Sequence, residues 1–376
     1  MDNLTHSLFG ATLARTPLGR AGRGTTLALV LSSNAPDIDV VTVAGGALNY
    51  LEWHRGPTHG AFGVVVLGLL TAGLVRTGLR IFDRTHTAEH APFRMLAAIS
   101  CVGVLLHIAL DFPTSYGTRL LSPFDWHWYG SDLMPIIDIY LLVALAAGIV
   151  IGRRSAAARR RAAFVVLALM MCNYGLRAVS HQRALALAPQ AFGPLLSPPC
   201  DPAQSAGPLT GLAGRWPART ADPHARREES AGRCLVEIAA IPTFASPFRW
   251  QVIARLSNAY EMQAIDILDK RLTNPEAPRE ALWRTTRRVP NQWTPAALQA
   301  AESETARAFL GFSRFPAARS LVEPDGSTVV RWADMRFELP VVAGPRANQA
   351  GGRGGLFTVR VRVGAAGQIL EEAYPQ

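Results

Sequence analysis

Four long apolar runs crowd the first 180 residues, and they restrict the fold more than any other feature of the chain. Residues 60–75, 95–110 and 162–176 contain no Asp, Glu, Lys or Arg, and 133–152 contains only Asp138. With their flanks the runs extend to 60–80, 93–112, 133–152 and 162–180, near the roughly 20 predominantly apolar residues that a membrane-crossing helix needs. Four runs in 120 residues are too many for the buried helices of a soluble core. Charged residues make up only 18% of the chain, against about 25% in a typical soluble domain. Two earlier stretches are weaker: 4–13 is short, and 25–46 is broken by Asn34, Asp37 and Asp39. These read as short helices packed inside a bundle, where irregular backbone is tolerated once shielded from lipid. The expected fold is an α-helical membrane bundle of four full spans plus a short N-terminal helical pair, followed by a soluble α+β domain. The expected boundaries are 1–180 for the membrane domain, 181–232 for a linker and 233–376 for the soluble domain. The start of the chain lacks the basic and apolar regions of a signal peptide.

Arginine placement orients the bundle, because short cytoplasmic loops are enriched in basic residues. Arg76, Arg80, Arg84 and Arg94 flank one loop, and Arg153, Arg154, Arg159, Arg160 and Arg161 fill another two spans later. Both belong on the cytoplasmic side, which puts the segment near 112–132 and everything beyond about 181 outside, in the periplasm of a bacterium. Trp53, Trp126, Trp128 and Tyr129 read as an interfacial aromatic belt.

Ionisable residues in such a setting are expensive and mark function. His6, His54, His59 and His107 lie in the apolar half, and Asp37, Asp39, Asp111 and Asp138 accompany them. His107 and Asp111 are four residues apart on one helix, so both side chains leave from one face and can grip one ion. His54 and His59 flank Gly56-Pro57, which breaks helical continuity, so a loop must present them. Taken singly, each residue has a plainer role: a hydrogen-bonded core histidine, a helix cap, an intrahelical ion pair. Converging on one end of the spans, they form a metal site. Imidazole and carboxylate without thiolate suit zinc first, then manganese or iron. The candidates outnumber the ligands of one zinc, which favours two ions, or one ion with supporting carboxylates. The ligands expected are His6, Asp37, His59, His107 and Asp111. Asp39 and Asp138 are candidate general bases, His54 a further ligand or catalytic partner, and Arg55 and Arg119 candidate clamps for an anionic substrate group.

These strings together resemble the YdjM-type family of bacterial inner-membrane, metal-dependent hydrolases, described as LexA-regulated. The likeness rests on Met1-Asp2-Asn3-Leu4-Thr5-His6, Asn34-Ala35-Pro36-Asp37-Ile38-Asp39 and His54-Arg55-Gly56-Pro57-Thr58-His59. It continues through His107-Ile108-Ala109-Leu110-Asp111-Phe112-Pro113-Thr114-Ser115-Tyr116-Gly117-Thr118 and Pro135-Ile136-Ile137-Asp138. Gly60 stands where the family usually carries Ser. The resemblance covers about residues 1–180 and implies an inner-membrane location, a metal centre and hydrolase chemistry, with no settled substrate. The His107–Asp111 step is also similar to helical zinc phospholipases and nucleases, which ranks phosphoesters and lipid-like esters first. A non-enzymatic membrane protein, in which ions staple the bundle and the C-terminal domain binds a partner, is the runner-up. A metal transporter ranks third, because its polar residues should spread through the spans rather than gather at one end.

The C-terminal half is cationic, and the chain has one lysine, Lys270, among its 38 basic residues. Basic residues beside a membrane attract anionic headgroups, so membrane lipid is the expected partner and nucleic acid is not. Residues 235–241, 250–255, 260–268, 328–337 and 356–363 read as strands, 295–309 as a helix capped by Thr294, and 364–367 as a hairpin turn. No phosphate-binding loop or nucleophile elbow is present. Cys101 and Cys172 fall within spans, whereas Cys200 and Cys234 fall outside, where a disulfide can form.

Overall fold

The computed structural model describes residues 1–82, 90–200, 214–216, 233–274, 277–337 and 357–374. Helix α1 (Asn3–Leu13) starts at Asp2, whose carboxylate accepts from the Thr5 amide and hydroxyl at 3.0 and 2.6 Å. This satisfies one of the orphan donors at the helix start. Helix α2 (Thr25–Ser32) is followed, after a 43° bend, by a 3₁₀ segment (Ala35–Gly45). Pro36 sits in the first turn of that segment, where its missing N–H costs nothing. A short helix, α3 (Ala47–Trp53), leads into α4 (Ala61–Phe82), which packs along α5 (Phe93–Asp111). They touch closely at Gly68: a Cβ there would meet the Cys101 sulfur at 2.5 Å and its Cα at 2.9 Å.

The third expected span comes out shorter and the fourth longer. Helix α6 covers only Ile139–Ile151, 13 residues, because Pro135 and the capping Asp138 keep the preceding apolar residues out of it. Helix α7 (Ala156–Phe192) runs for 37 residues, about 55 Å at 1.5 Å per residue. Among the described residues, three helices (α4, α5 and α7) are long and apolar enough to cross a membrane, or up to four if α2 and its bent continuation count as one span. Helix α7 continues through 181–192, the part of the expected 181–232 linker in which 183–191 also reads as an extension of the last helix. Residues 201–213 and 217–232 lie outside the described residues.

Among the described residues, the C-terminal half contains two antiparallel four-stranded sheets. The first holds β3 (Leu235–Pro242), β4 (Arg249–Leu256), β5 (Ala259–Asp266) and β6 (Arg287–Pro290), after a short pairing of β1 (Trp128–Gly130) with β2 (Gly214–Trp216). The second holds β7 (Pro316–Val322), β8 (Thr328–Asp334), β9 (Thr358–Val363) and β10 (Ile369–Ala373), the last two joined by the expected hairpin at 364–367. Small helices α8 (Lys270–Thr273) and α9 (Glu280–Trp283) lie between β5 and β6. The single helix expected at 295–309 is two, α10 (Pro295–Ala300) and α11 (Glu304–Phe312), capped by Thr294 and Ser303. Cys200 and Cys234 are joined by a disulfide.

Two cores attach this domain to the bundle. The end of α7 buries Ala184, Ala188, Ala191 and Phe192 against Ala240, Trp250, Val252 and Ile265 of the first sheet. Phe309 and Phe312 of α11 pack beneath the second sheet together with Leu51 of α3, Tyr116 and Trp128. Trp128 is fully buried and donates to the Gly311 carbonyl at 2.7 Å, so it is an anchor of the domain and not part of an interfacial belt. The domain thus covers the end of the bundle where α4 begins and α5 finishes.

Candidate metal centre

Each motif string is delivered by a different break in the helices. His6 rides one turn into α1, Asp37 and Asp39 come from the 3₁₀ segment, His59 from the turn ahead of α4, and His107 and Asp111 from the last turn of α5. One atom from each of Asp37, His59, His107 and Asp111 lies within 4.8 Å of all the others. The Nε2 atoms of His59 and His107 are 3.2 Å apart. Asp111 Oδ2 lies 3.5 Å from each, and Asp37 Oδ1 lies 3.6 and 3.5 Å from them. Ligand atoms about 2.0–2.1 Å from a tetrahedral zinc stand roughly 3.3 Å from one another, so these separations suit a shared cation.

Two further observations test that fit. The Nδ1 of His107 faces the Ser33 carbonyl at 2.7 Å, which can only accept, so Nδ1 carries the proton and Nε2 turns its lone pair inward. The Nδ1 of His59 faces Thr58 Oγ1 at 3.0 Å and Asp39 Oδ2 at 3.4 Å, which fixes it the same way. Two lone pairs pointed at each other at 3.2 Å repel unless a positive centre lies between them. In addition, both ring nitrogens of the fully buried His6, and Oδ2 of Asp37, have no hydrogen-bond partner among the described residues. Buried polar atoms left unpaired cost about 1–3 kcal/mol each, a cost that a cation held here would relieve. His6 stacks on His107 with ring centroids 3.8 Å apart and places Nε2 3.3 Å from Asp111 Oδ1, as a further donor at the edge of the cluster.

The other expected residues have distinct positions. Asp39 does not face the four ligand atoms directly. Its Oδ1 takes His54 Nδ1 at 3.0 Å, and its Oδ2 takes the Arg55 amide at 2.8 Å and the Thr58 hydroxyl at 3.1 Å. It is an orienting carboxylate for two histidines, the arrangement that fixes imidazole tautomers around metals. The bond to its amide also helps hold Arg55 at φ 53°, a conformation side-chain-bearing residues rarely adopt. Arg55 is buried and turns inward, with Nη2 3.0 Å from Asp111 Oδ2. The Met1 amine also pairs with Asp111. Burial holds the His54 imidazole below its ordinary pKa even though Asp39 opposes the shift.

Two expected site residues stand apart. Asp138 caps α6, accepting from the Leu141 amide at 2.9 Å, and forms a fully buried ion pair with Arg177 at 2.7 Å. Arg119 lies over the indoles of Trp126 and Trp128 at 4.4 and 4.2 Å and donates to the Glu52 carbonyl. Burial lowers its pKa to about 10. It braces the loop rather than facing the cluster. Thr58 and Thr114 were within the motif strings but not among the expected site residues. The Thr114 hydroxyl lies 3.0 Å from Arg55 Nη1, and their signal was simply membership of those strings.

A protein of Bacillus subtilis (strain 168) that carries the name "Uncharacterized protein YfhP" is 26% identical over 148 residues, 39% of this chain, and the chain spans 42% of that relative's length. No solved structure matches the chain significantly. Residues 1–184 match the model of the YdjM inner membrane protein family. The matched stretch is the membrane half, which holds every donor of the cluster, and there the chain is similar to the YdjM inner membrane protein family.

Proposed function

We propose that this protein is a membrane-embedded, metal-dependent hydrolase acting on a phosphoester or lipid-like substrate at the periplasmic face. The observation that carries the reading is the meeting of Asp37, His59, His107 and Asp111, from three separate chain segments, around one point. These residues would hold one divalent cation, with His6 as a fifth donor. Zinc suits the donor set best, with manganese or iron as alternatives. Such a cation supplies Lewis acidity, activating water and polarising a substrate oxygen. The chain's own groups supply the rest. Asp39 fixes His59 as a ligand and His54 as its second partner, and His54, bonded through Nδ1, keeps Nε2 to accept or return a proton. Arg55 balances the charge of Asp111 inside the cluster.

The surroundings favour a substrate from the bilayer. Asp37 is the one ligand with an accessible side chain, at 12% exposure, and it projects from the 3₁₀ segment. That segment also exposes Ile38, Val40, Val41 and Val43, a surface suited to acyl chains. The Arg-rich loops lie at the opposite ends of α4–α5 and α6–α7, which supports a periplasmic site under the positive-inside rule. The Cys200–Cys234 disulfide beside the first sheet supports the same side, since disulfides persist in oxidising compartments.

Purified protein in detergent tests the reading. Metal analysis should find bound ion in the native chain and none in His107→Ala, and phospholipid vesicles or generic phosphoesters should be cleaved by the native chain alone. Metal-loaded protein that cleaves nothing across such panels, and unfolds when chelated, would instead support a stapled, non-catalytic bundle.

A further inference from the structure

The loop after Asp111 is gripped from two sides by two arginines. From the membrane half, Arg55 Nη1 donates to Thr114 Oγ1 at 3.0 Å and to the Gly117 carbonyl at 3.2 Å. From the C-terminal domain, Arg336 Nη1 donates to the carbonyls of Ser115 at 2.8 Å and Tyr116 at 3.2 Å, and Nη2 donates to the Phe312 carbonyl at 3.2 Å. Asp334 holds the other edge of the Arg336 guanidinium through both carboxylate oxygens, at 2.7–3.1 Å, and the side chains of both residues are fully buried. Two rings, Phe312 and Phe337, flank the guanidinium at 4.8 and 4.9 Å.

A buried guanidinium is costly unless paired, and Asp334 already pairs it within its own domain. Beyond one bond from Nη2 to Phe312 of its own domain, the guanidinium turns Nη1 to backbone of the membrane half, in the planar fork geometry that only Arg offers. What they fix is Tyr116. Its ring meets His54 edge-on at 5.4 Å and lies under the Arg55 guanidinium at 4.9 Å, and Arg55 in turn holds Asp111. We infer that Arg336 is a positioning residue for the metal centre: by pinning the Ser115 and Tyr116 carbonyls it sets where Arg55 and His54 stand against Asp111 and Asp39. Through it, a domain outside the family match tunes a site made wholly of family residues. The inference rests on the metal reading above.

Cobalt(II) loading of the full chain tests it, read by the visible ligand-field spectrum and by affinity against a competing chelator. The variants are Arg336→Met, the milder Arg336→Lys, and the control Arg314→Met. The control breaks a different ion pair between the domain and the membrane half, Arg314–Asp132 at 2.6 Å. Outer partners of metal ligands typically contribute roughly 10–100-fold in affinity, and Arg336 acts one layer further out. Arg336→Met should therefore weaken cobalt binding about tenfold and shift the spectrum, and Arg336→Lys should fall between it and the native chain. Arg314→Met should change neither. Should Arg336→Met fail to fold, Arg336→Lys decides. A native spectrum and affinity in the Arg336 variants, or equal changes in Arg314→Met, would overturn the positioning role and leave the metal reading standing. Native protein that binds no cobalt would remove both.

Discussion

The Asp138–Arg177 pair gives the clearest quantitative test, because sequence and structure assign Asp138 different roles. Asp138→Asn keeps a competent helix cap, since Asn caps about as well as Asp, and removes only the charge. Both side chains are fully buried, so solvent screening does not soften the effect. Stranding one member of a buried ion pair costs about 3–5 kcal/mol. At roughly 2–4 °C per kcal/mol for a large domain, the thermal midpoint in detergent should fall about 6–20 °C. Asp138→Ala should lose about 1 kcal/mol more, for the cap. Pairing Asp138→Asn with Arg177→Met removes the stranded cation and should recover much of the loss, so the two single effects should not add. Metal content should stay native throughout. An Asn variant that melts within about 2 °C of native, or one that loses its metal at an unchanged midpoint, would refute this assignment and return Asp138 to the metal centre.

Other expectations follow from the same contacts. Asp39→Asn should keep the cation but weaken its binding roughly 10–100-fold, the usual cost of losing a carboxylate that orients a ligand histidine; a chelator competition measures it. Cys200→Ser opens a loop with a sequence separation of 34 residues and should cost about 4 kcal/mol on the chain-entropy estimate, read as a lower midpoint matched by reducing the native chain. Gly68→Leu should separate α4 from α5 and destabilise by about 1–3 kcal/mol or more through overpacking, whereas Gly73→Ala, with open space around its Cβ position, should be nearly neutral in the same melt.

Much of the centre was legible in the sequence because its donors sit in short strings where apolar periodicity breaks. Those breaks became the cap of α1, the 3₁₀ segment and the turn before α4, and they delivered His6, Asp37 and His59 to one end of α5. Asp138 shared the same apolar surroundings, but its partner Arg177 is 39 positions away on another helix, and nothing local separates a cap from a ligand. The span at 133–152 was overestimated because hydropathy does not register that Pro135 and the capping Asp138 delay the start of the helix to Ile139. Strands β7 and β10 escaped notice for a different reason. Pro316-Ala317-Ala318 and Ile369-Leu370-Glu371-Glu372 lack alternating β-branched residues, and pairing with β8 and β9 makes them strands. Arg336 gave no signal at all. Its carbonyl partners in the membrane half lie 221 and 220 positions earlier, and backbone oxygens leave no trace in composition.

The unbroken course of α7 has a consequence for how such chains can be rebuilt. One rigid rod carries lipid-facing residues along one stretch and seats a sheet with its final turns. Helical phase is therefore shared between the two halves: adding a single residue anywhere along the rod would swing the distal half by about 100° and push it 1.5 Å outward. Substitutions along the rod can be absorbed one at a time, but a change in its length cannot. Chimeras that graft a different roof onto this bundle should succeed only when the junction preserves the count of residues in α7.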